Sequence, residues 1–405
     1  MANQFQSVQS GLAELKNFYQ GPIVDSFSED VAIYRGSEKG KYPWSGQQVI
    51  RPVKVRRNPG IGATSDGGIL PQIGRQTTVQ GIIQCKYNYL RFGITAGMIK
   101  ASQSDVGSFV RSAAYELEEG YNDLRSNVNR QLSWNGNGDL ATISTTVVAS
   151  TSVVLAGRES TEAALKFLDV GSTVDIYRAG VLIQAGLTIN SITTGTATSA
   201  TATVVMSAAV SATAGDILVQ ANSYGQEIQG LLTFLDGNTT TIDNIDRSTY
   251  MAFQGNVVDL NGAQLSLTPI QQGQDEAERL GGRGINTIYS DFASRRMYQK
   301  LLTADKRYVN TVKGDGGFSN KEQSYLEFNG IPWVADKDAP TRIFLLPDKY
   351  VEKYVQCEME FADETGSMYI AQTENDELEV RIRFFANLFL AKPRGAAVLV
   401  DYTAP

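Results

Sequence analysis

The sequence predicts an α+β protein of several domains with an inserted all-β domain, and three observations lead to this prediction. Apolar residues recur at helical spacing over a long stretch that begins near residue 106. Two earlier runs alternate apolar and polar residues at the spacing of β-strands. From residue 140 to residue 222 the composition shifts to Ala, Ser, Thr and Val punctuated by glycine, which is typical of short strands joined by turns.

The composition excludes several classes of enzyme. With 405 residues, 42% of them hydrophobic, the chain is long enough for two or three hydrophobic cores. Histidine is absent, so Ser-His-Asp and Cys-His catalysis are impossible and the commonest metal ligand is missing. The net charge of -7 argues against a dedicated nucleic-acid binder, because such proteins cluster Lys and Arg against phosphates. We expect no catalytic residue, no cofactor and no metal site.

The sequence also predicts where the protein is made. The first 20 residues lack the basic and apolar regions of a secretory signal. The two cysteines, Cys85 and Cys357, lack metal-ligand spacing and fit a reducing compartment. The uncharged stretch between Arg178 and Asp216 is too rich in Thr, Ser and Gly to span a membrane. We therefore expect synthesis in the cytoplasm and no membrane partner.

A projecting hairpin is predicted near the start of the chain. Residues 1 to 20 carry apolar side chains at steps of three and four, which predicts an amphipathic helix in an N-terminal arm. Val49, Val53 and Val55 share one face of a strand, and a second strand-like run covers residues 79 to 92. The loop between them, residues 58 to 71, is too long for a tight turn. A two-stranded ribbon is marginally stable alone, so another subunit is expected to support it.

A long helix is predicted to follow the hairpin. Ser104 or Asp105 can cap its start, and residues 135 to 138 (NGNG) end it. At ~1.5 Å per residue it would be roughly 40 Å long, which suits the backbone of an extended subunit. A further helix is predicted near residues 291 to 302, and strand-like patterns alternate with turns from residue 354 to residue 402.

The candidate chemical motifs are weak. The segment that begins at Asp236 resembles a calcium loop, but its sixth and twelfth positions are Thr241 and Arg247 in place of Gly and Glu. Residues 281 to 284 and 314 to 317 are glycine-rich without a phosphate-binding fingerprint. Two carboxylate pairs, Glu358 with Glu360 and Asp243 with Asp246, are most simply interpreted as solvated surface.

The ordered features resemble the Hong Kong 97-type major capsid proteins of tailed bacteriophages. Segments similar to that family occur in the expected order at residues 66 to 71 (DGGILP), 94 to 95 (IT), 102 to 105 (SQSD), 129 to 130 (NR), 135 to 141 (NGNGDLA), 230 to 232 (GLL), 245 to 248 (IDRS) and 328 to 336 (FNGIPWVAD). Each is weak alone, but together they cover most of the chain. The segment from residue 140 to 222 departs from the founding pattern and resembles the insertion domains of some capsid proteins.

The resemblance implies a fold with named parts. These are an N-terminal arm (residues 1 to 45), an extended hairpin or E-loop (46 to 93), a peripheral domain with its spine helix (94 to 139), an inserted β-domain (140 to 222), an axial domain (223 to 345), and peripheral strands that return to the axial domain (346 to 405). The implied function is self-assembly as pentamers and hexamers into an icosahedral phage head that encloses double-stranded DNA.

The resemblance also implies partners and contacts. Besides other copies of itself, the protein would meet a portal and a separate scaffolding protein, and a decoration protein is allowed. It would enclose DNA without sequence-specific binding, assemble in the host cytoplasm and reside in the virion. In proteins of this family the hairpin lies across a neighbouring subunit near its spine helix. The predicted inter-subunit contacts are therefore Arg51, Lys54, Arg56 and Arg57 on the hairpin, and Glu116, Glu118 and Glu119 on the helix.

Two alternatives remain open at this stage. The same fold also builds encapsulin-type compartments, which load a cargo enzyme. The second alternative is a carboxylate-dependent hydrolase or carbohydrate-binding protein that uses the β-rich segment as its binding module. That segment has few aromatic side chains, Phe167 and Tyr177 among them, which disfavours a sugar-binding cleft.

Overall fold

The computed structural model describes residues 31 to 95, 106 to 159, 162 to 195, 199 to 237, 240 to 281, 284 to 304, 326 to 362, 369 to 371 and 377 to 404. The α-helices in these residues are α1 (Ala32–Gly36), α2 (Val106–Ser133), α3 (Leu231–Leu235), α4 (Leu267–Gly281) and α5 (Phe292–Ala304). Single 3-10 turns cover Met251–Phe253, Asp348–Tyr350 and Pro393–Gly395. Helices α2 and α5 confirm two sequence predictions. The predicted helix of the first 20 residues lies outside the described part.

The hairpin forms as the alternation of its side chains predicts. Strand β2 (Gln48–Arg56), which follows the short strand β1 (Glu38–Lys39), pairs antiparallel with β3 (Thr77–Gln84). Val49, Val53 and Val55 are buried on one face, while Lys54 and Arg56 are exposed on the other.

The predicted single strand from residue 79 to residue 92 is wrong, because Cys85 interrupts it. The backbone N–H of Cys85 donates to the carbonyl of Gln47 at 2.9 Å, and the chain then leaves the hairpin. Strand β4 (Lys86–Thr95) belongs to a different sheet. Alternation continues through both strands, so the sequence pattern could not distinguish one long strand from two with different partners.

The second sheet packs against the long helix. It contains β1, β4, β18 (Val351–Phe361), β19 (Tyr369–Ala371) and β20 (Glu377–Leu390), with β4, β18 and β19 all pairing with β20. Helix α2 buries Tyr121, Leu124, Val128 and Leu132 in the core that these strands share. At ~1.5 Å per residue its 28 residues extend about 42 Å, the length expected from the sequence.

Residues 139 to 220 form a closed six-stranded barrel. Its strands are β5 (Asp139–Ile143), β6 (Val147–Ala156), β7 (Thr173–Arg178), β8 (Val181–Thr194), β9 (Thr201–Ala212) and β10 (Ile217–Gln220), in the order β10-β5-β6-β9-β8-β7. The barrel has a hydrophobic core of its own, which includes Val153, Leu155, Ile176 and Val204. That it is an autonomous insertion stays a prediction.

A third sheet forms from the segments that follow the barrel. Its order is β13 (Asn256–Asp259), β21 (Ala397–Val400), β17 (Ile343–Leu346), β14 (Thr287–Ser290), β16 (Ile331–Ala335) and β15 (Leu326–Phe328). A tight hairpin of β11 (Thr241–Ile242) and β12 (Ile245–Asp246) precedes it. The chain end returns to this sheet as β21, which pairs with β13 and β17. The family-like segment from residue 328 to residue 336 lies in the antiparallel pair of β15 and β16.

Candidate assembly surfaces

The base of the hairpin is fixed to its own subunit through Arg51. Its Nε donates to Oε2 of Glu352 at 2.8 Å and its Nη2 donates to Oε1 at 2.7 Å. The guanidinium also lies over the ring of Phe389, 5.1 Å from its centroid. Burial lowers the pKa of Arg51, but the hydrogen bonds and charge of Glu352 outweigh burial and hold the pKa above its ordinary value. The structure thus places Arg51, a predicted inter-subunit contact, in a pair within one chain.

The other predicted contact residues lie on exposed surfaces. Lys54, Arg56 and Arg57 point into solvent and form no ion pair with any residue in the described ranges. Glu118 and Glu119 are exposed on α2, and the side chain of Glu116 lies outside the described part. Among the described side chains, no ion pair joins Lys54, Arg56 or Arg57 to Glu118 or Glu119 within one subunit. Their contact between subunits stays a prediction.

The loop at the end of the hairpin carries an apolar tip that the sequence analysis missed. We define the apolar tip as Ile61, Ile69, Leu70 and Ile73, which are 83%, 97%, 78% and 101% exposed. Four large aliphatic side chains exposed in one loop make it a candidate contact site, because exposed apolar patches commonly mark interaction surfaces. The sequence does show Ile and Leu side chains within this glycine-rich loop. The sequence analysis considered only the length and glycine content of the loop, and so it predicted a loop but no contact site.

The loop is held narrow behind the apolar tip. A Cβ on Gly74 would lie 2.5 Å from the backbone nitrogen of Gly60, so the two sides of the loop approach more closely than any other residue allows. Oδ1 of Asn58 accepts the N–H of Gly60 at 2.9 Å. The apolar tip therefore lies at the end of a loop whose two sides are close together at Gly60 and Gly74 and which Asn58 stabilises by a hydrogen bond.

A buried carboxyl group lies where the hairpin meets the rest of the subunit. The carbonyl of Asp243, in the β11–β12 turn, accepts the N–H of Ile82 at 2.9 Å. Asp243 is half-buried as a residue, but its Oδ2 is fully buried and has no hydrogen-bond donor among the described residues. Burial raises the pKa of Asp243 to about 7, although a hydrogen bond from Gln229 and the charge of Lys86 oppose this shift.

A polar junction fixes the long helix to the third sheet. Nδ2 of Asn129 on α2 donates to Oδ1 of Asp336 at 2.8 Å and to Oδ2 of Asp338 at 3.0 Å. Both aspartates follow β16 and are buried. Burial raises the pKa of Asp336, and the hydrogen bonds from the Asp338 backbone and Asn129 counter only part of that. The junction holds the helix and the sheet in one fixed arrangement.

Asp243, with its buried carboxyl group, contradicts the interpretation as solvated surface. The other carboxylates considered as catalytic or metal-binding groups have local structural partners. Glu358 accepts the Tyr34 hydroxyl at 2.7 Å, and Glu360 accepts Arg383 at 2.8 Å. In the suspected calcium loop, Asp236 pairs with Arg247 at 3.2 Å. Within the described residues, no group of three or more His, Cys, Asp or Glu could hold a metal ion. None of the helices in these ranges is long and apolar enough to cross a membrane.

Comparison with known proteins gives the fold of the chain. No protein-family model matches the sequence, and no curated protein matches it. The structure is similar to the cyanophage A-1(L) capsid asymmetric unit, with 14% identity, a TM-score of 0.53, and coverage of 91% of this chain and 90% of that chain. It is also similar to the capsid of the native GTA particle, with 8% identity, a TM-score of 0.49, and coverage of 92% and 90%.

An encapsulin is among the similar structures as well. The holo-SrpI encapsulin complex from Synechococcus elongatus PCC 7942 matches with 8% identity and a TM-score of 0.42, covering 87% of this chain and 82% of that chain. The fold assignment rests on the cyanophage capsid, for which the TM-score is above 0.5. The chain therefore has the fold of a phage capsid protein, and the sequence resemblance to the Hong Kong 97-type capsid proteins is confirmed as a resemblance in fold.

Proposed function

We propose that this chain is the major capsid protein of a tailed bacteriophage, a structural protein that assembles as pentamers and hexamers into an icosahedral head around double-stranded DNA. The observation that carries the proposal is the hairpin. Arg51 fixes its base to the subunit, while the apolar tip projects without a surface to cover it. A structure of this kind is expected where one subunit reaches onto another.

The energy available from this contact is enough to matter. Full burial of one large aliphatic side chain contributes about 1.5 to 3 kcal/mol, so the four of the apolar tip offer at most about 12 kcal/mol per subunit. Ordering the loop and bringing two subunits together oppose this gain. A single hairpin contact is consequently weak. A closed shell is stable because every subunit contributes its own hairpin to one contact and accepts a neighbour's hairpin in another. This is the energetic pattern that reversible assembly requires.

The proposed partners follow from the same function. Other copies of the chain form the shell, a portal closes one vertex, and a separate scaffolding protein directs assembly in the host cytoplasm. A decoration protein is compatible with this proposal. The head encloses DNA without reading its sequence, as expected for a chain of net charge -7. No cofactor is needed.

The contents of the particle distinguish a phage head from an encapsulin-type compartment. Particles purified from a phage-producing culture should contain DNA that nuclease cannot reach until the shell is opened with denaturant. Recovery of an enzyme cargo in place of DNA would support the compartment. A chain that catalyses hydrolysis or binds polysaccharide as a monomer would contradict both.

A further inference from the structure

Two buried carboxylates lie together at the polar junction between the long helix and the third sheet. Asp336 and Asp338, which follow β16, are only 8% and 5% exposed. Among the described residues, no Lys or Arg forms an ion pair with either of them, and Lys337 between them is exposed. An ionised carboxylate is unfavourable in a buried position unless a positive group compensates its charge. Two such carboxylates side by side therefore require a proton or a cation.

Neutral donors compensate only part of this charge. Nδ2 of Asn129 lies 2.8 and 2.9 Å from the two carboxylate oxygens of Asp336, and 3.0 Å from Oδ2 of Asp338. An amide group has two hydrogens, so it cannot donate a separate hydrogen bond to each of three oxygens. Oγ of Ser126 adds a donor to Oδ2 of Asp338 at 3.2 Å. Three carboxylate oxygens thus converge on one point, and a neutral group faces them there.

Tyr289 provides a second observation that is independent of the carboxylate pair. Tyr289 lies on β14 and is 1% exposed, and its hydroxyl makes no hydrogen bond to any described residue. Burial raises the pKa of Tyr289 well above its ordinary value, and the charges of Asp336 and Asp338 raise it further, so the hydroxyl lies beside them. Oδ1 of Asn129 is also buried without a partner. Buried polar atoms without partners are rare, and an ion or a water commonly accounts for them.

We propose that Asp336, Asp338, Asn129 and Tyr289 form a binding site for a calcium ion. Ca²⁺ takes carboxylate, amide and hydroxyl oxygens at about 2.3 to 2.6 Å. Small shifts of the carboxylates bring their oxygens to this distance from the point where they converge, and a turn of the Asn129 side chain adds its unpartnered Oδ1. The ligands come from α2, β14 and the segment after β16, an arrangement that suits the irregular coordination of Ca²⁺ better than the strict octahedron of Mg²⁺.

The site explains why no metal centre was predicted from the sequence. Its ligands are distant in the chain and include neither histidine nor the spacing of a calcium loop. Calcium would join the long helix to the third sheet more firmly than the Asn129 amide does alone, because it neutralises the two repelling carboxylates. Calcium binding at this junction does not depend on shell formation, so it can be tested on the chain in either state.

Equilibrium dialysis of the full-length chain, stripped of metal and then exposed to Ca²⁺, tests the site. The wild type should bind one Ca²⁺ per subunit at this junction, and Asp338→Asn should bind it about tenfold more weakly or not at all. The matched control is Asp275→Asn, an exposed aspartate next to Glu276 on α4, which removes the same charge from an acidic surface and should bind calcium as the wild type does.

Thermal unfolding separates a binding defect from a folding defect. Without calcium, Asp338→Asn should unfold at the same temperature as the wild type or at a higher one, because it removes one of two repelling charges. Calcium should raise the unfolding temperature of the wild type but not that of this variant. Tyr289→Phe, which removes only the hydroxyl, should weaken calcium binding several-fold and keeps the test decisive if Asp338→Asn does not fold. Failure of the wild type to bind Ca²⁺ at about 1 mM, the weak end of calcium sites in proteins, or unchanged binding in these two variants would overturn the inference.

Discussion

Arg51 and Glu352 join the hairpin to the second sheet through two parallel hydrogen bonds, although 301 positions separate them in the sequence. Their side chains are 15% and 13% exposed, so each would leave the other poorly solvated if it were removed. A two-stranded ribbon is only marginally stable alone, and this ion pair fixes the base of the ribbon to the subunit. Every contact proposed for the distal loop depends on this anchorage.

Breaking this pair should destabilise the subunit itself. We expect Arg51→Ala to lower the free energy of unfolding by about 3 kcal/mol, because Glu352 is left charged and largely buried. Urea unfolding of the unassembled subunit measures this. The matched control is Arg56→Ala, on the exposed face of the same strand, which should change the free energy of unfolding by less than about 0.5 kcal/mol. Equal effects of the two substitutions would show that the Arg51 pair does not anchor the hairpin.

The exposed charges should act on assembly instead of folding. Reversal of Arg56 and Arg57 to Glu should slow or block shell formation at low salt while the subunit stays folded. Glu118→Lys with Glu119→Lys in the same chain should partly restore it. Each exposed pair contributes only ~0.2 to 1 kcal/mol, so the effect arises from repetition over all subunits. Light scattering at several salt concentrations measures the rate, and normal assembly of the Arg56→Glu, Arg57→Glu variant at low salt would refute this docking mode.

Asp243 should make the subunit's stability depend on pH. Its folded pKa of about 7 lies above the ordinary value, so the folded state binds the proton more tightly than the unfolded state. Stability from this group is fully present below about pH 4 and is lost as the pH rises through 7. Relative to Asp243→Asn, the wild type should therefore lose unfolding free energy between pH 4.5 and pH 8, as measured by urea unfolding at each pH.

Asp246 provides the control for this pH dependence. Hydrogen bonds from Ser248 and Thr249 lower its pKa to about 2, so the stability it contributes is lost only as the pH falls through that value. The difference between the wild type and Asp246→Asn should be constant between pH 4.5 and pH 8. A constant difference for Asp243→Asn as well would mean that its carboxyl group titrates normally in the folded subunit.

The barrel should be removable. Val219 pairs with Asp139 across neighbouring strands, so the two ends of the barrel lie side by side. A short linker in place of residues 140 to 222 should therefore leave a soluble, folded body, with Gly138 and Gly225 flanking the excision. Circular dichroism and a cooperative thermal transition would show this. The deletion uncovers Trp134, so a companion with Trp134→Gln should be at least as soluble. Loss of all folded protein in both would show that the barrel belongs to the common core.

Local periodicity was enough to predict the elements of the fold but not their partners. Helix α2 was predictable because its apolar side chains repeat at helical spacing, and the face of β2 was predictable from Val49, Val53 and Val55. The break at Cys85 was missed because both flanking strands have the same alternation. The Arg51–Glu352 pair was missed because nothing in local sequence relates two residues so far apart. The family resemblance supplied the overall arrangement that periodicity could not.

Electron microscopy of the purified full-length chain, alone and with Ile69→Asp and Leu70→Asp together, tests the central claim most directly. We predict closed shells for the wild type, and folded subunits or small oligomers without shells for the variant, because its apolar tip can no longer be buried at low cost. Thr64→Asp, an exposed polar position in the same loop, should still form shells. A wild type that stays a compact monomer at every concentration and salt condition, or a double variant that builds normal shells, would contradict the account.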